Sequence, residues 1–226
     1  MEYHGVASGT FLARPNRFIA QIRLGDTVET VHVKNTGRCR ELLVPGARVY
    51  LEPGRTPNRK TKYDLIAVEK GDRLINMDAQ APNPVFEEWV RDGGFLPGVT
   101  AIRRECPYGG SRLDFCLETE QGLHFVEVKG VTLEEHGKTR FPDAPTERGV
   151  KHIRELQRAV EEGHRASLVF VVQMDRVESV SPNDGTHPAF GDALRQAAAA
   201  GVGVHAFACA VTPERIRVSH PVPVLL

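Results

Sequence analysis

Residues 167–174 read SLVFVVQM, a nearly unbroken apolar run. A strand with one wet face alternates apolar and polar residues. One that does not alternate is buried on both faces, as in a parallel sheet covered by helices. The chain must therefore supply helices around this strand, and its pattern does so. From Glu147 to Glu162, Val150, Ile153, Leu156 and Val160 fall on one helical side, with Thr146 as N-cap and Gly163 at the end. A second helix is expected over 188–200 and a last strand in VGVHAFACAV. Upstream, Asn83 is placed to cap PVFEEWVRDGG, with Pro84 in its first turn and two glycines at its end. The strands VTAIRREC, SRLDFCLE and LHFVEVKG follow it. The order α-β-β-β-α-β-α-β predicts helices sandwiching a mixed sheet over residues 81–226.

Residues 1–80 have a different texture. RFIAQIRL, VETVHV, ARVYLE, DLIAVEK and RLINMDA are short strands, with Gly71-Asp72 as a hairpin turn. So many strands in so little chain predict a small barrel, OB-like by preference, with an SH3-like barrel as the alternative. The expected fold class is thus α/β (α+β) with two domains, 1–80 and 81–226.

At 41% hydrophobic and 26% charged, the composition is that of an ordinary soluble protein. No apolar run is long enough to span a bilayer, and MEYHGVASGT lacks a signal pattern. Cys39, Cys106, Cys116 and Cys209 form no C-x-x-C pair, which argues against a zinc knuckle or a disulfide framework. A cytoplasmic protein with no membrane partner is expected. Net charge is zero, yet residues 1–80 carry 13 Lys and Arg against 9 Asp and Glu. Arg38 and Arg40, with Arg55, Arg59, Lys60 and Lys62 near Tyr63, form a candidate phosphate-backbone surface of low sequence preference. Aromatics are sparse, so duplex and single strand stay open as partners.

The chemistry-bearing stretch is FVEVKGVTL, residues 125–133, where Glu127 and Lys129 share one strand face. Asp114 lies on the preceding strand, joined by ETEQGLH, short enough for a hairpin. If the strands pair, two carboxylates and an amine converge. Like charges at such range require a proton or a divalent cation, and Mg2+ (or Mn2+) suits one or two carboxylates plus substrate phosphates. The expected chemistry is phosphodiester hydrolysis, with Asp114 and Glu127 as metal ligands and Lys129 orienting or deprotonating the nucleophile.

The spacing D-x12-E-x-K, together with the αβββαβ order, resembles the PD-(D/E)XK restriction-endonuclease-like superfamily. That resemblance implies an auxiliary glutamate on the first helix, Glu88 before its rival Glu87. RPNRFIA, HVKNTGRCRELLVPGARVYL, RKTKYDLIAV, YGGSRLDF, FVEVKGVTL and FPDAPTERGVKHIRELQ resemble, more specifically, the sugar fermentation stimulation protein A (SfsA) family. The resemblance implies an N-terminal OB-like domain joined to a PD-(D/E)XK-like domain, in a DNA-binding family linked by name to sugar catabolism. Asp114, Glu127 and Lys129 all stand intact.

In the helix after Pro145, Arg148, Lys151, His152 and Glu155 form one polar stripe. It is read as a solvated face that also borders the cleft and can grip phosphate, with a minor role for His152. The apolar PVPVLL tail is expected to close the sheet. Two functions compete: a metal-dependent DNA nuclease, with RNA as another possible polymer, and a non-catalytic DNA-binding regulator on the same fold. No helix-turn-helix or other base-reading signature is evident.

Overall fold

Six strands fill the first third of the chain in the computed structural model, which describes residues 1–54, 56 and 59–226. They are β1 (Ala7–Asn16), β2 (Ile19–Leu24), β3 (Thr27–Val33), β4 (Arg48–Pro53), β5 (Tyr63–Lys70) and β6 (Arg73–Asn76). The sheet runs β3-β2-β1-β4-β5-β6, and a parallel pairing of His32 with Asp64 and Val33 with Leu65 joins β3 to β5. That contact closes five strands into an OB barrel. Phe11, Ile22, Val31, Val49 and Leu65 fill it, each at most 2% exposed. The strand pattern of the sequence does not reveal β1. Its register slips twice, around Ala13, so its alternation is broken.

The rest of the chain runs α1 (Pro82–Arg91), β7 (Val99–Tyr108), β8 (Ser111–Thr119), β9 (Gly122–Val131), β10 (Glu134–Glu135), β11 (Lys138–Phe141), α2 (Glu147–Glu161), β12 (Arg165–Val172), β13 (Ser179–Pro182), α3 (Pro188–Ala199), β14 (Gly203–Thr212) and β15 (Arg215–Pro221). The main sheet is ordered β15-β14-β12-β9-β8-β7, with β9, β12 and β14 parallel. The apolar run of β12 divides as the sequence demands. Val169 and Val171 pack in the cluster of Phe86 on α1, while Leu168, Phe170 and Val172 pack in that of Ile153 and Leu156 on α2 and Phe190 on α3. Each of these five β12 side chains is 0% exposed, and burying one contributes about 1.5–3 kcal/mol.

The ends of elements show what the pattern resolves. Thr146 caps α2, its Oγ1 accepting the Gly149 N–H at 3.0 Å. Asn83 does not cap α1, because the helix begins earlier, at Pro82 after Ala81. Three short strands, β10, β11 and β13, form a small sheet that the sequence leaves as loop. The sheet edge is β15 itself, beyond which Val222 N–H reaches the Ala206 carbonyl and Val224 bridges to Val180.

The two units share apolar clusters, in which Ile66 and Ala67 of β5 join Val85 and Phe86 of α1, and polar pairs join them as well. Gln173, 1% exposed just past β12, donates from Nε2 to Asn76 Oδ1 and to the Asp78 carbonyl, both at 2.9 Å. Lys34 pairs with buried Asp78 at 2.6 Å, and Lys70 and Arg73 reach buried Glu134 at 2.8 and 2.6 Å. The first residues, counted with the barrel in the sequence, pair with the sheet edge instead. Glu2 bridges to Arg215, and Tyr3 N–H reaches the Glu214 carbonyl at 2.8 Å.

Candidate metal and nucleic-acid site

Strands β8 and β9 pair from Thr119 opposite Gly122 to Phe115 opposite Val126, and then part. Asp114 sits in the fork. Its side chain takes over where the ladder stops: Oδ2 accepts the Val128 N–H at 2.9 Å, and Oδ1 accepts Asn83 Nδ2 at 3.0 Å. Across the fork stands Glu127, 1% exposed. Its two oxygens are used unequally. Oε1 is held by Lys129 Nζ at 2.5 Å and by His152 Nδ1, whereas Oε2 makes only a long contact, 3.4 Å, with the Asp114 backbone nitrogen.

His152 is itself oriented from behind. Arg148 Nε donates to its Nε2 at 3.3 Å, so that nitrogen accepts and the ring proton sits on Nδ1, toward Glu127. Burial first, then the Glu127 charge, pushes the Asp114 carboxyl above the usual range. Burial also pushes Glu127 upward, but the His152 hydrogen bond and the Lys129 ammonium outweigh it and hold that carboxyl below its ordinary value. The upward push on Asp114 reflects burial and a second negative charge at close range, whereas Glu127 is already compensated by Lys129 and His152.

The donor set is all oxygen and hard. Among the described residues, no cluster of three or more His, Cys, Asp or Glu with ligand geometry forms. A cation held here would therefore have two protein carboxylates and keep positions for solvent and phosphate, which is the habit of Mg2+. The free Oε2 of Glu127, facing the Asp114 side of the fork, fits that role.

The structure does not bring Glu88 to this pair. On α1 it is Asn83 that touches Asp114. Glu88 lies about 140° round the helix from Asn83 and pairs, 57% exposed, with the Met1 amino group. Its rival Glu87, about 40° from Asn83 and one turn on, is committed to Arg91 at 2.5 Å and Arg104 at 3.5 Å. The polar stripe of α2 is also not one solvated face. His152 is 4% exposed, so it cannot serve as a surface phosphate donor. Lys151 Nζ donates to the Gly110 carbonyl at 2.5 Å, and Glu155 accepts the Gly110 N–H at 3.0 Å. Both hold the turn between β7 and β8 rather than the acidic pair. Gly109 in that turn has φ +53°, and a Cβ there would lie 2.2 Å from Glu155 Oε2.

On the barrel, Arg38 and Arg40 are exposed and line a recess of about 490 Å³ with Arg14 and Arg17. Arg59 turns inward instead, donating to Asp64 at 2.9 Å, so it is not open to phosphate. Lys60 is exposed, Lys62 reaches Glu29 at 3.7 Å while 75% exposed, and Arg55 lies outside the described residues. Sequence reasoning missed Arg14, which donates to the carbonyls of Arg17, Asn35, Gly37 and Arg38 at 2.7–2.9 Å and so ties two barrel loops together. A lone arginine between Ala13 and Pro15 carries no signal of that task.

Two family models match the chain: the sugar fermentation stimulation protein RE domain over residues 80–215 and the SfsA N-terminal OB domain over residues 12–77. A sugar fermentation stimulation protein homolog of Desulfitobacterium hafniense is 53% identical over 226 residues, covering 100% of this chain and 99% of that protein. One from Clostridium beijerinckii is 49% identical and covers 100% of both. The solved structure of Pyrococcus furiosus SfsA in complex with Ca2+ superposes with a TM-score of 0.90 at 31% identity, covering 100% of this chain and 98% of that one. The chain belongs to the sugar fermentation stimulation protein (SfsA) family.

Proposed function

We propose that this protein binds DNA with little sequence preference and hydrolyses its phosphodiester bonds with Mg2+ or Mn2+ held between Asp114 and Glu127. The observation that carries the reading is the unequal use of Glu127: Lys129 and His152 anchor Oε1, and Oε2 stays open beside Asp114. The Ca2+ complex of the Pyrococcus furiosus relative supports a divalent cation in the family. When bound, the cation supplies Lewis-acid charge next to the phosphoryl oxygens. The protein's own groups do the positioning. Asn83 and the Val128 N–H fix the Asp114 carboxylate, while His152, set by Arg148, fixes Glu127. Lys129, 17% exposed at the cleft, carries the ammonium that reaches the attacking water or a phosphate oxygen. In this reading the barrel arginines Arg38 and Arg40 hold the backbone of the polymer. The cytoplasm, where thiols stay reduced, suits the four free cysteines.

A second reading, a DNA-binding regulator without turnover, is favoured by one fact: Lys129 already compensates Glu127 without any cation. Supercoiled plasmid separates the two. The nuclease reading expects nicking with Mg2+ or Mn2+, abolished by chelator and by Asp114→Ala. Retention of plasmid with no nicking under either metal would establish the regulator. Running RNA beside DNA identifies the polymer.

A further inference from the structure

We infer that the substrate reaches the acidic pair as an unpaired strand, lying in a track that starts on the barrel at Phe18, Arg17, Arg38 and Arg40. This rests on the nucleic-acid reading above and names its substrate class. Four observations carry it.

Phe18, at the tip between β1 and β2, is 53% exposed, and the Arg17 guanidinium lies 5.7 Å from its ring centroid. An exposed aromatic with a cation beside it is a stacking platform for a nucleobase. Next to it opens the recess of about 490 Å³, whose lining holds four arginines and no acid. Among the described residues, Arg17, Arg38 and Arg40 have no carboxylate partner. Arg14, by contrast, spends its guanidinium on four loop carbonyls, so the two loops that wall the recess are tied to each other.

The recess also leads somewhere. Thr36 and Gly37 form walls of both this cavity and a second one, of about 210 Å³, between the two units. The second cavity is lined by Gly130 and Val131, which directly follow Lys129 on β9, and by Arg140. Along β9 its lining thus begins at the residue after Lys129. Asp143 is the single acid in the two linings, and it stands at the neck, where a Cβ on Gly37 would lie 2.3 Å from its Oδ2. Of the two recesses, the one of about 490 Å³ is in the volume range that takes a ligand the size of an individual nucleotide. A duplex, whose major groove alone is about 12 Å across, does not enter them.

The test is binding by fluorescence anisotropy, on Asp114→Asn protein in chelator, with a labelled 12-nucleotide oligo-dT and a duplex of equal length. The single strand is expected to bind more tightly. Phe18→Ala should weaken it about 5- to 150-fold, the range for loss of one base stack, with the salt slope unchanged. Arg38→Ala with Arg40→Ala should lower the slope of log affinity against log salt by about 1.4. Oligo-rU bound as tightly as oligo-dT supports the track with RNA as a possible source of the strand. Single-strand affinity unchanged in both variants overturns it, as does duplex binding stronger than single-strand binding. Because no cleavage is read, an unaltered protein that never cuts would sink the nuclease reading and leave this one standing.

Discussion

Replacing Asp114 by Asn isolates the cation from the fold. The Asn keeps an oxygen for the Val128 N–H at the fork, its amide nitrogen can donate to Asn83 Oδ1 once that side-chain amide turns over, and the change removes one of two mutually repelling negative charges. Without metal, Asp114→Asn protein should therefore melt no lower than the unaltered protein. With metal the order reverses. A cation at 100 times its dissociation constant stabilises the protein that binds it by about 2.7 kcal/mol. For a chain of 226 residues, at about 2–4 °C per kcal/mol, that is a rise in Tm of roughly 5–11 °C. The variant has lost one of two protein ligands and should move by less than about 1 °C under the same conditions, since a site with so few ligands has none to spare. Differential scanning fluorimetry with Mn2+, against a chelator control, reads both numbers. An equal rise in variant and unaltered protein would refute the argument, because the cation would then be bound elsewhere.

Two more outcomes follow from groups away from the cation. His124, 6% exposed and bonded to Ser167 Oγ at 2.9 Å, has its pKa pushed down to about 4 by burial first, then by Arg165 and His205. The unfolded chain takes up that proton below about pH 6.5 and the folded one only near 4. Stability should thus be full above pH 6.5 and fall by up to about 3 kcal/mol as pH drops to 4; His124→Gln should flatten urea-denaturation stability across that window, and an unchanged slope would contradict this. Arg14→Ala leaves four loop carbonyls without their charged donor and should cost about 2–4 kcal/mol in urea melts; a loss under about 0.5 kcal/mol would show that the loops hold themselves.

Much of the fold was legible because its signals are local. The unbroken run of β12 announced helices on both sheet faces, and Thr146 announced the start of α2. The nearness of Asp114 to Glu127 followed from a short hairpin between two strands. What escaped was set by tertiary partners. A polar stripe on a helix looks solvated, yet His152 is buried because Glu127 and Arg148 satisfy both its nitrogens. Glu88 was preferred over Glu87, and Asn83 was read as a cap, but the helix starts at Pro82 and turns Asn83 to the fork and Glu88 toward Met1. Arg59 looked like part of a basic patch until Asp64 claimed it. The early strand β1 was hidden by its own irregular register.

The central claim concerns where a divalent ion sits, and anomalous diffraction from crystals soaked in Mn2+ tests it most directly. The account predicts a peak about 2.0–2.6 Å from carboxylate oxygens of both Asp114 and Glu127. A peak at other residues, or none between these two, would contradict it.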